Sequence, residues 1–184
     1  MLQIICGCNN EPAKATNAPV HKSAVVNSER VKTTDEQLFR SFLAGFKRAV
    51  KANNKTILKA MFYFPLQTNP QWSNEDLKNS HIDPKTGLIN SAEFDSYYQD
   101  IFTKDAIRLI PVSKEDDLSE IDKTTTEDYY KTLIPLTDKG STLYELTKQY
   151  TQDNGQETSF GFVFGKIKGS YKVISYYRPW PLKG

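Results

Sequence analysis

Side chains that commonly perform catalysis are scarce in this 184-residue sequence, which contains two histidines and two cysteines. Both cysteines, Cys6 and Cys8, lie near the start of the chain, and His21 lies in the polar segment that follows them. A Ser-His-Asp catalytic triad in the rest of the chain would depend on His81. The sequence around it, HIDP, is typical of a polar loop before a turn. His-Glu-x-x-His, Gly-x-Ser-x-Gly and phosphate-binding glycine loops do not occur. We therefore predict no catalytic residue, no metal and no cofactor.

One stretch, IDPKTGLINSAEF, has part of the spacing of a calcium loop of the EF-hand type. Gly87 would occupy position six and Glu93 position twelve, but positions one and three would be Ile82 and Pro84. Neither of these two side chains can supply the oxygen ligand that a hard cation requires. We therefore interpret Gly87 as a turn residue and Glu93 as part of a helix cap.

The first residues have the chemistry of a lipid-attachment site, because Ile5-Cys6-Gly7-Cys8 is an aliphatic residue, two small residues and a cysteine. This pattern resembles the lipobox of bacterial lipoprotein signals, and the resemblance implies that Cys8 carries the lipid. A signal peptide normally has a basic start and roughly 7–15 apolar residues before its cleavage site. Residues 1–7 are shorter and carry no basic residue, so residues 1–8 resemble the remnant of a signal. An unmodified cytosolic N-terminus is the alternative.

Residues 9–33 contain no aromatic residue and are rich in Asn, Ala, Pro, Ser and Lys. Such a segment cannot bury enough apolar surface to offset its ordering entropy, so we predict a disordered polar tether. Residues 34–184 then form a single domain, joined to a membrane through Cys8. The corresponding location is the bacterial cell envelope, on the periplasmic or surface side. Absence of cysteine from residues 9–184 fits such an oxidising compartment.

Charge argues against a nucleic-acid partner. The chain has a formal net charge of +2, and that surplus lies in the first 33 residues. Residues 34–184 carry 20 basic and 20 acidic side chains, so they create no long-range field for a polyanion. No run approaches the roughly 20 apolar residues that span a bilayer.

Apolar spacing predicts helices in the first part of the domain. Leu38, Phe42 and Phe46 lie on one face of a helix that follows Thr34 as its N-cap. A second helix, KTILKAMFYF, should stop at Pro65. Further helical turns are predicted for NEDLKNS, INSAEFDSYYQDIF and DAIRLI.

The period changes to two residues after about residue 126, which predicts strands. The four predicted strands are DYYKTLIPLT, STLYELTKQYT, ETSFGFVFGKIK and SYKVISYYR. Phe160, Phe162 and Phe164 share one face, while glycines on the other face indicate a bend or a closely packed neighbour. The predicted fold class is α+β, with helices packed on a curved antiparallel sheet.

This order of elements resembles the cystatin-like cone of the nuclear-transport-factor-two-like (SnoaL-like) superfamily. The resemblance covers roughly residues 34–178. It depends on the long first helix, the segment FYFPL, the INSAEFDSYYQDIF helix and the final strands. It implies a sheet wrapped around the long helix, with a pocket at the open end. Members include isomerases, dehydratases and many binding or dimerising domains without catalysis.

Five polar side chains are candidates for lining such a pocket and binding a ligand there: Tyr97, Tyr98, Tyr176, Tyr177 and Arg178. The preferred interpretation is a lipid-anchored envelope protein that binds a small apolar ligand or a protein without catalysis. A cone-type isomerase, dehydratase or hydrolase is the first alternative, and an inhibitor or immunity-type protein using the acidic loop 113–127 is the second. An acid with a raised pKa in an aromatic pocket would favour the enzyme, whereas a pocket filled by phenylalanines would favour binding. The oligomeric state stays open.

Overall fold

A computed structural model describes residues 33–68, 87–179 and 182–184 of the chain. The predicted lipidation site Cys8, the tether up to residue 32, the helical turns of NEDLKNS and His81 lie outside the described residues. The described part of Thr33–Gly184 forms one compact unit.

Five α-helices and six strands occur among the described residues. The helices are α1 Asp35–Lys51, α2 Lys55–Met61, α3 Phe94–Ile101, α4 Lys104–Leu109 and α5 Asp128–Leu133. The strands are β1 Phe62–Gln67, β2 Leu88–Ile89, β3 Leu118–Ile121, β4 Leu143–Thr151, β5 Glu157–Ile167 and β6 Ser170–Tyr177. Short 3-10 turns cover Ile110–Val112, Glu115–Asp117 and Ile134–Leu136.

The strands form one sheet in the order β2-β1-β6-β5-β4-β3. All neighbouring pairs are antiparallel except β1 and β6, which run parallel, so the sheet is mixed rather than purely antiparallel. The long antiparallel pairs β4–β5 and β5–β6 come from the last third of the chain. The predicted α+β class, with helices packed on a sheet, is confirmed.

Helix α1 begins where the sequence predicts. Thr34 Oγ1 accepts a hydrogen bond from the Gln37 amide at 3.2 Å, and Gln37 Oε1 accepts one from the Thr34 amide at 2.9 Å. This reciprocal cap satisfies two amides that a helix start leaves without partners. The buried face of α1 meets all three long strands, since the Phe39 ring stacks on Tyr144 of β4 with centroids 3.7 Å apart and also contacts rings of β5 and β6.

The second predicted helix is too long, because α2 ends at Met61 and Phe62–Gln67 is strand β1. Pro65 lies inside this strand, and the pairing of β1 with β6 is irregular between Phe62 and Gln67. Since proline has no amide hydrogen, it removes a ladder hydrogen bond at this point. Burial of Phe62 and Leu66 against the core outweighs the helical spacing.

Residues 128–137 form α5 and a 3-10 turn, so the predicted first strand is wrong. Tyr129, Tyr130 and Leu133 are buried, and their spacing places them on one helical face. They pack with Leu143, Val163, Ile174 and Tyr177 on the sheet face opposite α1. The sheet is therefore covered on both faces, which the sequence did not predict.

Residues 113–127 are largely exposed, but they are not the continuous loop that the inhibitor alternative assumes. They contain a 3-10 turn and β3, which pairs with β4 from Leu118↔Leu146 to Ile121↔Leu143. Lys148 Nζ donates to both carboxylate oxygens of Asp117 at 2.9 Å and fixes the start of this strand.

Candidate functional site

The interior between α1 and the sheet is filled by the protein's own side chains. Twelve buried aromatic rings form this cluster: Phe39, Phe46, Phe62, Phe94, Tyr98, Phe102, Tyr144, Phe160, Phe162, Phe164, Tyr171 and Tyr176. Neighbouring rings touch in tilted and edge-to-face pairs, for example Phe46 with Phe162 at 5.4 Å and Phe162 with Tyr176 at 4.9 Å. Such packing resembles a protein core more than a ligand pocket.

The five tyrosine and arginine candidates do not converge on one site. The Tyr98 hydroxyl donates to Asn53 Oδ1 at 2.7 Å, and the ring of Tyr97 lies against Gly184. Tyr177 lies on the opposite sheet face. Tyr176 and Arg178 are brought together at a small cleft of about 90 Å³ beside Tyr150 and Phe160 of the aromatic core.

Arg178 has structural partners at this cleft. Its Nη1 donates to the Asp100 carbonyl at 3.0 Å, and its Nη2 lies 3.5 Å from Asp100 Oδ2. Burial alone would raise the pKa of Asp100, but amide donors from Lys183 and Gly184 and the charge of Arg178 lower it. These contacts fasten the end of β6 and the C-terminal residues to α3.

Glu145 is a buried carboxylate that the sequence analysis missed. It lies on β4 at 8% exposure, and its Oε1 accepts hydrogen bonds from the hydroxyls of Tyr130 and Tyr177, each at 3.0 Å. Tyr177 also lies 3.0 Å from Thr147 Oγ1. A second pair lies beside it, where the Tyr129 hydroxyl is 2.6 Å from Ser175 Oγ.

Burial raises the pKa of Glu145 above its ordinary value, and the hydroxyl donors only partly offset that effect. A carboxyl with a raised pKa beside tyrosines is a familiar acid–base arrangement. Here, however, the group lies under α5 on the face opposite the aromatic cluster. It does not line the cleft at Tyr176 and Arg178, the cleft at the end of the β4–β5 hairpin or the cleft between α2, β1 and α3. Its geometry fits a buried polar network that fixes α5 on the sheet.

One signal in the sequence points to Glu145. Leu143, Glu145 and Thr147 alternate with Tyr144 and Leu146 along β4, so a charge interrupts one strand face. Without knowing that α5 covers this face, the pattern indicates an ordinary solvent-facing glutamate.

A larger cleft of about 460 Å³ lies at the end of the β4–β5 hairpin. Its lining is mostly polar and consists of Gln149, Tyr150, Thr151, Glu157, Thr158, Ser159 and Pro179. Thr158 is 8% exposed, and its Oγ1 has no hydrogen-bond partner among the described residues. An unsatisfied buried hydroxyl is uncommon in folded proteins, so this cleft has an unused polar group at its wall.

A third cleft, of about 680 Å³, lies between α2, β1 and α3. Its two lysines face one acid, with Lys55 Nζ at 3.0 Å and Lys59 Nζ at 3.2 Å from the Asp95 carboxylate. Both lysines of this groove therefore share one carboxylate, and the three charges sum to +1.

Among the described residues, no group of three or more His, Cys, Asp and Glu is placed to hold a metal ion. None of the described helices has the length and apolar character to cross a membrane.

One solved structure is similar to this chain at low identity. No family model matches the chain, and no curated protein sequence matches it. A solved structure described as a putative calcium/calmodulin dependent protein kinase II association domain from Xanthomonas campestris is similar at 15% identity, covering 77% of this chain and 84% of that chain with a TM-score of 0.37. The fold assignment rests instead on this chain's own strand order and helix packing. Together, fold and clefts define an α+β domain with an interior filled by aromatic rings and an open polar cleft at one hairpin.

Proposed function

We propose that this chain is a lipid-anchored envelope protein whose cone-type domain binds another protein and catalyses no reaction. The observation that carries the proposal is the filled interior, because the rings of the domain itself occupy the space where a cone-type enzyme holds its substrate. The open cleft at the β4–β5 hairpin is polar, which suits a polypeptide better than a small apolar ligand. Kinship with the SnoaL-like members of the superfamily is part of this proposal.

Dye binding tests the filled interior. The 184-residue chain is titrated with an apolar fluorescent dye such as anilinonaphthalene sulfonate. We expect no saturable one-to-one binding, since burial of a dye would require displacement of Phe162 and its neighbours. Saturable binding that a fatty acid displaces would contradict the proposal and favour an apolar ligand.

The enzyme alternative is favoured by one observation, the raised pKa of Glu145 between two tyrosines. It requires that a substrate reach this carboxyl. Its 8% exposure and its position beneath α5 argue against such access. A water-soluble carbodiimide distinguishes the two readings, because it modifies reachable carboxyls. We expect Glu145 to be protected in the folded chain and modified only after unfolding, and rapid modification in the native state would revive the enzyme alternative.

Membrane attachment through Cys8 can be tested with two matched variants, because a second cysteine, Cys6, lies two residues away. The chain is expressed in a bacterium with a complete basic and apolar leader fused ahead of Ile5, and the mature protein is weighed by mass spectrometry. We expect a diacyl or triacyl adduct that Cys8→Ser abolishes and Cys6→Ser retains. Free thiols on a soluble product would contradict the anchor while leaving the binding proposal standing.

A further inference from the structure

The β4–β5 hairpin extends past both neighbouring strands. β3 pairs with β4 only as far as Leu118↔Leu146, and β6 pairs with β5 only as far as Gly161↔Tyr177. Among the described strands, none therefore pairs with the outer edges of residues 147–151 and 157–160. We call this two-stranded part, residues 147–160, the ribbon.

The turn of the ribbon fixes which amides point outward. Gln152 N donates to the Gln156 carbonyl at 2.9 Å, and Gly155 N donates to the Gln152 carbonyl at 2.9 Å. In an antiparallel pair, hydrogen-bonded and non-bonded residue pairs alternate along the ladder. The Tyr150↔Thr158 pair is therefore a bonded one, and Glu157 and Ser159 direct their backbone N–H and C=O groups away from β4.

Pro179 explains why β6 does not cover this edge. Continuing the register Gly161↔Tyr177 places Pro179 opposite Ser159. Proline has no amide hydrogen to donate to a Ser159 carbonyl, so the ladder stops here. The cleft of about 460 Å³ lies at this place and is lined by Glu157, Thr158, Ser159 and Pro179 together with β4 residues.

Two further features indicate what occupies this cleft. Thr158 is nine-tenths buried in its wall, and its Oγ1 has no hydrogen-bond partner among the described residues. The ribbon beyond Lys148 also carries Asp153 and Glu157 and no basic residue, while Lys148 itself is bound to Asp117. A volume of this size lies in the range of ligand sites.

We propose that the outer edge of Glu157–Ser159 accepts an extended, basic segment of a partner polypeptide as an added β-strand. This deepens the proposed function and rests on it, since it names the surface and the chemistry of the partner. The backbone of the incoming segment pairs with the outward groups of Glu157 and Ser159, and a Lys or Arg side chain faces Glu157. Strand addition of this kind obtains its affinity from main-chain hydrogen bonds and its specificity from adjacent side chains.

The test uses a displayed library of random ten-residue peptides. The 184-residue chain is biotinylated on its two cysteines, immobilised and screened, and the recovered peptides are synthesised and titrated by calorimetry. We expect enrichment of basic peptides without internal proline. In residue-resolved hydrogen exchange, bound peptide should slow the amides of Glu157 and Ser159 and leave that of Thr158, which already faces β4, unchanged.

Matched variants separate edge pairing from other modes of binding. Ser159→Pro removes one outward amide and leaves the β4–β5 ladder bonds in place, so we expect affinity to fall about tenfold or more. Ser159→Ala keeps the amide and should bind within about twofold of the original chain.

Two results would overturn the inference: recovery of no specific peptide, or recovered peptides that leave exchange at Glu157 and Ser159 unchanged. The exchange pattern decides the matter even if Ser159→Pro fails to fold. If no strand is added, the dye experiment can still support the proposed function. If the dye binds saturably, the proposed function is wrong regardless of the peptide results.

Discussion

The Tyr177 ring lies directly across Gly161 on the sheet face covered by α5. A Cβ atom placed on Gly161 would stand 2.1 Å from Tyr177 Cζ, closer than any real contact allows. From this position the Tyr177 hydroxyl reaches Glu145 and Thr147 at 3.0 Å each. The glycine therefore makes room for the tyrosine that closes over the buried carboxyl. Gly165 plays the same part for Thr137 and Ile174, which confirms the expectation of closely packed neighbours behind the phenylalanine stripe.

Gly161→Ala should destabilise the protein by about 1–3 kcal/mol, because the added methyl group displaces a buried ring. The measurement is the free energy of unfolding in urea. Gly45→Ala is the matched control, since a Cβ there meets its nearest atom at 3.8 Å and lies within α1. That change should stabilise the protein by about 0.5–1 kcal/mol. Equal effects of the two substitutions would contradict the packing described for Tyr177.

Glu145→Gln should leave the protein at least as stable as the original chain at pH 8. The raised pKa means that the folded state binds the proton of Glu145 more tightly than the unfolded state does. Protonation of Glu145 therefore stabilises the fold, fully below the ordinary pKa of 4.5, and this contribution is lost as pH rises through the pKa of the folded state. Glutamine keeps an oxygen acceptor for Tyr130 and Tyr177 and does not titrate. Urea unfolding at pH 5 and pH 8 measures the effect, and a variant that loses more stability than the original chain between these values would refute it.

Asp35→Asn should have the opposite pH dependence. Asp35 accepts hydrogen bonds from Lys166 Nζ at 2.6 Å, the Tyr171 hydroxyl at 2.8 Å and the Thr142 amide at 2.9 Å, joining α1 to the sheet. Burial alone would raise its pKa, but these donors outweigh burial and lower it. The stabilisation is therefore present above the ordinary value of 3.8 and is lost as pH falls through the folded pKa.

At pH 7 the Asp35→Asn change should cost about 1.5–3 kcal/mol, and the difference from the original chain should shrink near pH 3. Asp95→Asn serves as the control, because Asp95 also has two lysine partners but is exposed. Its removal should have a much smaller effect, as surface ion pairs contribute little. A cost for Asp35→Asn that stays constant between pH 7 and pH 3 would argue against the ionised contact.

Phe162→Ala should open a cavity in the filled interior. The Phe162 ring is fully buried and contacts Phe46, Phe102 and Tyr176, so its loss should cost about 3–5 kcal/mol. The variant should bind benzene or the apolar dye, whereas the original chain should not. Phe162→Leu is the milder variant if the alanine form unfolds, and Ile57→Ala, at a half-exposed position, should change stability by less than about 0.5 kcal/mol. Tight benzene binding by the unchanged chain would contradict a filled interior.

Local chemistry predicts much of this fold. The cap of α1 at Thr34 and the positive φ angle of the turn residue Gly87 match the sequence analysis. So do the last three strands, whose alternation places Phe160, Phe162 and Phe164 in the core. These features depend on residues close together in the chain, so their residue types contain the necessary information. The predicted cap at Glu93 differs, because α3 begins after Glu93 without a side-chain cap and Glu93 Oε2 accepts the Asn90 amide within the preceding turn.

The incorrect predictions concern residues that become buried where two distant parts of the chain meet. Tyr129 and Tyr130 have strong strand propensity, but their burial against the back of β4–β6 makes them helical, because tertiary packing outweighs propensity. The same packing separates Tyr177 from Tyr176 and encloses Glu145. The sequence by itself determined the apolar faces, the caps and the turns. Only the tertiary structure decided that both sheet faces are covered and that the interior is filled. It also decided that, among the described strands, none pairs with the edge of β5 beside Pro179. Each of these features depends on which distant surfaces meet.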